Sequence, residues 1–538
     1  MSKVKRFLAI LVAAIMTLGM TVSAFAGTAA SSDGKFGTSG DTGTITVSGI
    51  EKETGVNFKV KYYKVIEAQY QNNGSFSGYN SLYSSIIPNP VAENLTITSD
   101  QLNELADAAA SKQADGEMSY NDDSKLYTAT VAPGSYLVLV SGTESKSYNP
   151  MVVSVSYERK TDGTTGLKED TLTLVEGTAT AKKSGMPEVT KKIVDDTVGV
   201  GTTDKGNSAE IGEDVNYEIS VKPIPNYNGS YPVLNVVDTL DNGLQYNADL
   251  KVYIKDGSNK TELSADKYSS TTPSSQEIKV DFVVENSYTL NEYAGKEIVI
   301  TYSAEVKNTA TLNDFANKNI VTLNYSKDSK TRGEGNNGTD IDRTNTYTFE
   351  IDGENSGTVG IITKTGDRTE DEEGLDGATF ALYKTEADAK NDTTNTRFKV
   401  ATTSTINDTK GQLQFTGLEA GRTYYLRELT APDGYSVNTH IFEVKIEATY
   451  DNTVGSATYG QLTKWIVKVD NNLVAEFTLD NGKFVKSDNC NGVDILNTKI
   501  SSLPSTGGIG TTIFTIGGCA IMIVAAGLFF ATRRKTQK

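Results

Sequence analysis

Two of the side chains that often carry enzyme chemistry, histidine and cysteine, are scarce in this sequence. The 538 residues include one histidine, His440, and two cysteines, Cys490 and Cys519. A single histidine excludes the usual histidine-based metal sites and the Ser-His-Asp and Cys-His nucleophile pairs. Two cysteines are too few to staple a chain of this length with disulfides. We therefore expect no enzyme activity, no cofactor and no metal site. Covalent cross-links within the chain must come from a bond other than the disulfide.

The C-terminal end combines a short motif with a membrane span. An uncharged run from 509 to 531 is long enough to cross a bilayer, and a basic tail that includes Arg533 and Arg534 follows it. A five-residue motif comes before the span: Leu503, Pro504, Ser505, Thr506 and Gly507. The three parts together resemble the LPxTG cell-wall sorting signal of Gram-positive surface proteins.

This resemblance implies a transpeptidation by a sortase. The enzyme's cysteine would attack the carbonyl of Thr506, release the chain from Gly507 onward and hold the rest as a thioester. An amine would then take over the acyl group. Pro504 favours the extended, non-helical backbone that such an attack requires. The partners implied are a sortase and peptidoglycan, or the amine of another protein.

The N-terminal end predicts export. Basic residues within the first six positions precede an apolar run from 7 to 22, and small residues at Ala24 and Ala26 fit the A-x-A cleavage rule. We expect a signal peptide over 1–26, cut after Ala26; the alternative is an N-terminal membrane anchor. Loss of both basic ends takes the formal charge from −17 to about −17 − 7 = −24. Such acidity disfavours nucleic acid as a partner.

The most specific internal motif lies between 425 and 435 and reads YLRELTAPDGY. It resembles the E-box of the collagen-adhesin B-type (CnaB) domains found in pilins and adhesins. In that family a glutamate promotes a spontaneous amide bond between a lysine on the first strand and an asparagine on the last. The matching positions here are Lys364, Glu428 and Asn497. The alternative is that Glu428 is an ordinary strand carboxylate.

This chemistry has a plain physical basis. A lysine must be neutral to act as a nucleophile, and burial lowers its pKa while it raises the pKa of a carboxyl group. A protonated Glu428 could then polarise the amide of Asn497 and shuttle a proton as ammonia leaves. The reaction would occur once per chain, so it is self-maturation and not enzyme activity.

The segment after 187 offers a weaker parallel. Its opening strand resembles that of middle pilin domains, in which a lysine pairs with a late asparagine and an aspartate replaces the glutamate. The matching residues are Lys191, Asp238 and Asn319, with Lys192, Asn317 and Asn324 close enough in sequence to be confused with them. The alternative is a solvated lysine and a turn-capping aspartate. Before residue 187 no carboxylate stands in register with an E-box, so we predict no bond there.

Backbone pilins carry a lysine at the end of the first domain that receives the acyl group. The equivalent location here holds Lys182 and Lys183, without the Tyr, Pro and Asn that usually surround that lysine. Lys182 is our choice and Lys183 the second; the alternative is a pair of solvated linker lysines.

The elements that must position these residues are mostly strands, because polar turns and short alternating runs recur throughout. We expect an all-β chain of tandem immunoglobulin-like (Cna-type) sandwiches: an N-terminal pilin domain over 27–186, a middle sandwich over 187–353, a CnaB-type sandwich over 354–502 and the sorting signal over 503–538. One helix in the first domain is predicted, capped by Ser99 or Asp100. Its apolar positions are Leu102, Leu105, Ala106 and Ala109.

The resemblance covers the whole length and implies the shaft subunit of a covalent surface pilus, in which Thr506 of one copy bonds to a lysine of the next. Such a head-to-tail contact never closes and therefore grows as a filament. The alternative is a monomeric wall-anchored adhesin or a minor pilin. Minor pilins and host surface ligands stay open as further partners, since loops of the first domain can carry binding functions.

Overall fold

The structure is a computed structural model of the chain. It describes residues 22–23, 27–29, 37–53, 58–91, 95–143, 145–162, 166–194, 203–227, 232–285, 287–327, 337–353, 358–368, 373–500 and 509–535. The sorting motif at 503–507 and nearly all of the predicted signal peptide lie outside these residues. Two compact units are formed: Met1–Thr348 with Gly417–Ala420 and Ala448–Thr463, and Phe349–Thr416 with Gly421–Glu447 and Lys464–Lys538.

The first unit begins with a long mixed sheet. Its strands and those beside it are β1 (Val22–Ser23), β2 (Gly27–Ala29), β3 (Gly43–Ser48), β4 (Lys59–Tyr70), β5 (Phe76–Ser81), β6 (Thr96–Ile97), β7 (Gly116–Glu117), β8 (Ser119–Asn121), β9 (Leu126–Val131), β10 (Gly134–Ser141), β11 (Lys146–Tyr148), β12 (Met151–Asp162), β13 (Gly166–Thr180) and β14 (Lys183–Gly185). The main order is β5-β4-β10-β12-β13-β3-β9-β8, and β11 pairs with β14 separately.

Strand β10 is buried on both faces, which explains its continuous apolar sequence. Tyr136 and Val138 belong to one core cluster, whereas Leu137 and Leu139 belong to another that contains helix α1 (Ser99–Ala110). The helix packs through Leu105 and its neighbours on that second face. The predicted helix is therefore present and lies against the sheet.

The cap of α1 differs from the predicted one. Thr98, and neither Ser99 nor Asp100, is the N-cap residue: its hydroxyl accepts from the N–H of Gln101, and the Gln101 side chain accepts from the N–H of Thr98. This reciprocal pair is a capping box, which satisfies two N–H groups at once. The prediction placed the cap one or two residues late because Ser99 and Asp100 are themselves good capping types.

The rest of the first unit is a β-sandwich. Its strands are β15 (Glu188–Val194), β16 (Gly206–Ser208), β17 (Asp214–Lys222), β18 (Leu234–Leu240), β19 (Leu244–Tyr246), β20 (Lys251–Asp256), β21 (Asn259–Glu262), β22 (Ser269–Ser274), β23 (Glu277–Asp281), β24 (Val283–Val284), β25 (Ser287–Tyr288), β26 (Glu297–Val306), β27 (Asn317–Ser326) and β28 (Asn337–Tyr347). One sheet has the order β15-β17-β26-β20-β21 and the other β16-β28-β27-β18-β23-β22.

Buried and exposed side chains alternate along the strands of this sandwich. On β17 the residues Val215, Tyr217, Ile219 and Val221 are buried, and they share one core cluster with Leu234 and Val236 from the facing sheet. Polar side chains at the inward positions of the central strands therefore also face the core. This is how the sandwich brings a lysine, an aspartate and an asparagine inside.

The second unit carries its own sheets. Its strands, of which β35, β37 and β38 each cross a boundary between the units, are β29 (Phe349–Ile351), β30 (Ile362–Gly366), β31 (Thr379–Tyr383), β32 (Lys399–Thr402), β33 (Ser404–Ile406), β34 (Thr409–Gln412), β35 (Phe415–Leu418), β36 (Thr423–Thr430), β37 (Ile441–Tyr450), β38 (Leu462–Val469), β39 (Asn472–Asp480), β40 (Lys483–Lys486) and β41 (Val493–Asn497). Two sheets have the orders β33-β34-β30-β41 and β32-β31-β36-β37-β38-β39-β40.

Two helices complete the described chain. The short α2 (Glu386–Asn391) was not predicted; Thr385 caps it by accepting from the N–H of Asp388. The long α3 (Ile509–Lys535) contains an apolar stretch, Thr512–Arg533, that meets the length and composition of a membrane span. Cys490 is buried and Cys519 exposed, and both are free thiols.

Candidate functional sites

Three buried polar side chains meet in the second unit. Lys364, Glu428 and Asn497 are each no more than 2% exposed. Strands β30 and β41 run parallel, with Lys364 opposite Ile495 and Asn497 opposite Gly366. Because side chains two residues apart share a face, Lys364 and Asn497 project to the same side of the pair. The predicted lysine, glutamate and asparagine thus lie on β30, on the interior strand β36 and on β41, the last strand of this unit.

Hydrogen bonds link two of the three directly. The Asn497 amide donates from Nδ2 to Glu428 Oε1 at 2.8 Å, and the Asn438 N–H donates to Glu428 Oε2 at 2.6 Å. Lys364 Nζ donates to the carbonyls of Thr365 at 2.7 Å and Ile495 at 2.6 Å. Asn497 Oδ1 has no hydrogen-bond partner among the described residues. The amide carbonyl is therefore buried, unsolvated and open to polarisation.

Burial shifts both ionisable groups toward their neutral forms. It lowers the pKa of Lys364 to about 8, against the opposing charge of Glu428. It raises the pKa of Glu428 above its ordinary value, against the hydrogen bonds from Asn438 and Asn497. With a pKa of about 8, roughly a tenth of the Lys364 amines are neutral at pH 7, compared with about 0.03% of unperturbed lysines. The cluster holds a usable nucleophile beside a carboxyl group that can exchange protons.

A second cluster lies between the two sheets of the sandwich in the first unit. Lys191 projects from β15 in one sheet, whereas Asp238 on β18 and Asn319 on β27 belong to the other, and each is no more than 2% exposed. Lys191 Nζ donates to the two Asp238 oxygens at 2.7 and 2.8 Å. Burial lowers the pKa of Lys191 to about 8, although the charge of Asp238 works in the opposite direction.

Two tyrosines enclose this second cluster. Lys191 Nζ lies 4.9 Å from the ring centre of Tyr217 and 5.0 Å from that of Tyr302. The Tyr302 hydroxyl accepts from Lys191 Nζ at 2.7 Å and from Asn319 Nδ2 at 2.5 Å, and it donates to Asp238. Asn319 Oδ1 has no partner among the described atoms. The aspartate reaches the asparagine through the tyrosine hydroxyl.

The neighbouring alternatives lie elsewhere. Lys192 is half-exposed and pairs with Glu218 at 2.9 Å. Asn317 is buried but bonds to the backbone and hydroxyl of Thr311. Asn324 donates to an asparagine of strand β18. Geometry therefore separates Lys191 and Asn319 from all three, which sequence spacing could not do.

No comparable cluster is described before residue 187. In that stretch the buried polar side chains are hydroxyls and one amide, Asn149, and no described lysine is buried. The hydroxyl of Tyr136 on β10 donates to the carbonyl of Ala132 at 2.7 Å. This is a local backbone contact and needs no lysine.

The two candidate attachment lysines differ in their surroundings. Both are exposed at the start of β14, and the backbone around them is fixed because the Lys182 carbonyl accepts from the N–H of Asn149 at 3.0 Å. Lys183 Nζ donates to Glu51 in an ion pair, which raises the pKa of Lys183. No acidic side chain among the described residues pairs with the Lys182 amine. Of the two lysines, Lys182 is thus the one whose amine has no ion pair among the described residues. Its expected acyl donor, Thr506, lies outside the described residues.

Sequence reasoning missed the tyrosines. Tyr302 shares the inward face of β26 with Ile298, Ile300 and Ala304. A tyrosine in an otherwise apolar inward series signals a buried hydroxyl that needs a partner. That signal was available in the sequence, but nothing in it showed that the partners are the lysine, aspartate and asparagine of the second cluster.

Comparison with known proteins gives two family matches. Residues 358–459 match the SpaA family, a prealbumin-like fold domain, and residues 496–538 match the LPXTG cell-wall anchor motif. The trypsin-resistant surface T6 protein of Streptococcus pyogenes serotype M6 is 26% identical over 92% of this chain and 95% of that protein.

Solved structures include similar chains. The T6 backbone pilin of serotype M6 Streptococcus pyogenes is 21% identical, with 86% of this chain and 99% of that chain covered at a TM-score of 0.51. The full-length major pilin SpaD of Corynebacterium diphtheriae matches at 16% identity over 86% of this chain and 98% of that chain, with a TM-score of 0.42. The predicted all-β fold and the anchor are confirmed: the chain is a secreted, LPXTG-anchored cell-wall surface protein.

Proposed function

We propose that this protein is the shaft subunit of a covalent pilus, in which a sortase joins Thr506 of one copy to Lys182 of the next. The observation that carries the proposal is the likeness, over nearly the whole length of both chains, to a surface protein that has been solved as a backbone pilin. That T6 backbone pilin has a modular three-domain structure. The same organisation, with boundaries near 187 and 354, is proposed here.

The polymer would be head-to-tail. A C-terminal carbonyl joined to an internal amine of the next copy is a heterologous contact, and such contacts extend without closing. Lys182 is favoured over Lys183 because the ion pair with Glu51 keeps the Lys183 amine charged and occupied. A sortase thioester is resolved only by a neutral amine, so the unpaired lysine reacts more readily.

Two intramolecular amide bonds would strengthen each subunit. Lys364 would bond to Asn497 with Glu428 as the acid, and Lys191 to Asn319 with Asp238 as the acid. Each cluster holds a buried lysine with a pKa of about 8. Glu428 accepts directly from the Asn497 amide, whereas Asp238 accepts from Lys191 and reaches Asn319 through the Tyr302 hydroxyl. Each bond releases one ammonia. The second bond would tie together the two sheets of its sandwich, and neither bond needs a cofactor.

The polymerisation is tested by immunoblots of wall extracts boiled in SDS. Cells would carry the wild type, Lys182→Ala, Lys183→Ala, the double variant and Lys251→Ala, an exposed lysine of β20 that serves as the matched control. We expect a high-mass ladder that collapses with Lys182→Ala and persists with Lys183→Ala and Lys251→Ala. A single wall-linked band in all five strains would instead establish a monomeric adhesin or a minor pilin.

A further inference from the structure

The Tyr302 hydroxyl occupies the centre of the second cluster. A phenol has one donor and two acceptor positions. Here the donor goes to Asp238 Oδ2, and the two acceptor positions take Lys191 Nζ at 2.7 Å and Asn319 Nδ2 at 2.5 Å. Tyr302 therefore contacts the attacking nitrogen, the leaving nitrogen and the acid at the same time. No capacity of the hydroxyl is left for any other group.

The first cluster shows why a bridge is needed here. In the second unit Glu428 contacts the Asn497 amide nitrogen directly at 2.8 Å. Aspartate is one methylene shorter than glutamate, and the described hydrogen bonds of Asp238 run to Lys191 and Tyr302. The hydroxyl of Tyr302 fills the space between Asp238 and Asn319. Asp238 and the Tyr302 hydroxyl together thus bridge the distance from the acid to the asparagine amide that Glu428 bridges alone in the second unit.

We propose that Tyr302 is a catalytic residue of the Lys191–Asn319 cross-link and relays a proton between Asp238 and the leaving nitrogen of Asn319. The role rests on the bond assigned under the proposed function. It is distinct from that assignment, because the bond could also form with Asp238 acting alone.

Protons and electrons balance in the relayed reaction. The Lys191 ammonium passes one proton to Asp238, and the neutral amine uses its lone pair to attack Cγ of Asn319. The new C–N bond leaves the nitrogen of Lys191 positively charged and the oxygen of Asn319 negative. Asp238 then gives its proton to the Tyr302 hydroxyl, which simultaneously hands its own proton to Nδ2, and the Asp238 carboxylate takes the second proton from the lysine nitrogen. The Cγ–Nδ2 bond breaks and ammonia leaves, with the proton on Asp238 released afterwards.

The surroundings keep the phenol in its protonated form. Tyr302 is fully enclosed, and its ring stacks on Tyr217 with 5.3 Å between ring centres and packs edge-on against Tyr246 at 5.7 Å. Burial, reinforced by the charge of Asp238, raises the pKa of Tyr302 well above its ordinary value. A hydroxyl that does not ionise can pass a proton only by taking one as it gives one, which is what a relay does.

The test compares Tyr302→Phe with Tyr246→Phe in the full-length chain. Tyr246 contacts the same ring but its hydroxyl accepts from the N–H of Leu250 at 3.2 Å, away from the cluster. Cells would receive an isotope pulse, and protease digests taken at intervals would be analysed by mass spectrometry for the branched peptide that joins Lys191 to Asn319. The branched peptide joining Lys364 to Asn497 in the same digest is an internal standard for folding and export.

We expect Tyr302→Phe to slow the Lys191–Asn319 bond by about a hundredfold or more, the usual scale for loss of a proton-transfer group, with the internal standard unchanged. Tyr246→Phe should form both bonds at the wild-type rate. A wild-type rate in Tyr302→Phe would overturn the relay. A urea midpoint of Tyr302→Phe below that of Asn319→Ala, which cannot form the bond, would also overturn the relay, because the slower bond formation would then reflect impaired folding. Absence of the bond in the wild type would instead overturn the bond assignment itself.

Discussion

The substitution Glu428→Gln should separate the chemistry of the C-terminal cluster from its packing. Glutamine keeps the volume of the side chain and its place beside Asn497, but it has no carboxyl group to exchange protons. We therefore expect that the Lys364–Asn497 bond does not form. The wild type should have a mass below that calculated from its sequence by one ammonia for this bond, and in Glu428→Gln that deficit should be absent.

The expected loss of stability follows from the loop that the bond closes. The two residues are 497 − 364 = 133 positions apart. A covalent link across a loop of that length removes unfolded-state entropy worth about 5 kcal/mol at 25 °C by the chain-entropy relation. One weakened buried hydrogen bond at the substituted glutamine adds about 1 kcal/mol, because its amide offers a single oxygen to two donors. With an unfolding entropy of ~2 cal/mol/K per residue over the roughly 150 residues of 354–502, the transition should fall by roughly 20 °C.

The assay is differential scanning calorimetry beside intact-mass spectrometry. Glu443→Gln, which makes the same exchange at an exposed position of the neighbouring strand β37, is the matched control and should leave both readouts unchanged. If Glu428→Gln showed the same ammonia deficit and the same transition as the wild type, Glu428 would not be needed for any bond and the reasoning from its buried carboxyl group would fail.

Three further predictions concern stability. In Asn497→Ala, Lys364 remains an amine whose pKa burial lowers from 10.5 to about 8, so the folded unit binds fewer protons than the unfolded chain between those values. Urea midpoints should therefore rise from pH 8 to pH 10 relative to the wild type, in which the proposed bond would make the nitrogen an amide that does not titrate. Asp352→Asn should lower the free energy of unfolding by about 2 kcal/mol, measured by chemical denaturation. The fully buried Asp352 accepts from the N–H groups of Ile361 and Ile362, and asparagine would present a donor there. Asparagine tolerates the positive φ of 53° at this position, so the backbone would not be the cause of the loss. Thr98→Ala should destabilise helix α1 by about 1 kcal/mol through loss of the capping box, measured by hydrogen exchange of the first-turn amides.

Local pattern was enough for much of the fold. Strands at Leu234–Leu240, Asn317–Ser326 and Gly134–Ser141 follow from short alternating or continuous apolar runs between polar turns. The helix at Ser99–Ala110 follows from apolar residues three and four positions apart. Its cap was misplaced because three consecutive residues, Thr98, Ser99 and Asp100, all favour that position. The short helix Glu386–Asn391 has too few residues for a periodic signal.

The candidate site residues likewise fall into those that a local sequence pattern identifies and those that it does not. Lys364, Glu428 and Asn497 could be named from a long motif together with the first and last strands of one unit. In the sandwich over 188–347, the choice of Lys191 and Asn319 over their lysine and asparagine neighbours rested on a weaker resemblance, and one position along a strand reverses the side chain between core and solvent. Lys191 and Lys192 differ by that single step. Tyr302 joins the cluster only through the meeting of two sheets, which no local window of sequence contains.

The covalent link between subunits is decided by mass spectrometry of the high-mass ladder. Pili would be purified from wild-type cells, boiled in SDS and digested, and branched peptides sequenced. We expect a peptide in which the carbonyl of Thr506 is joined to Nζ of Lys182. A Thr506 joined only to peptidoglycan, with no branch at Lys182 or Lys183 in any digest, would contradict the proposed polymer.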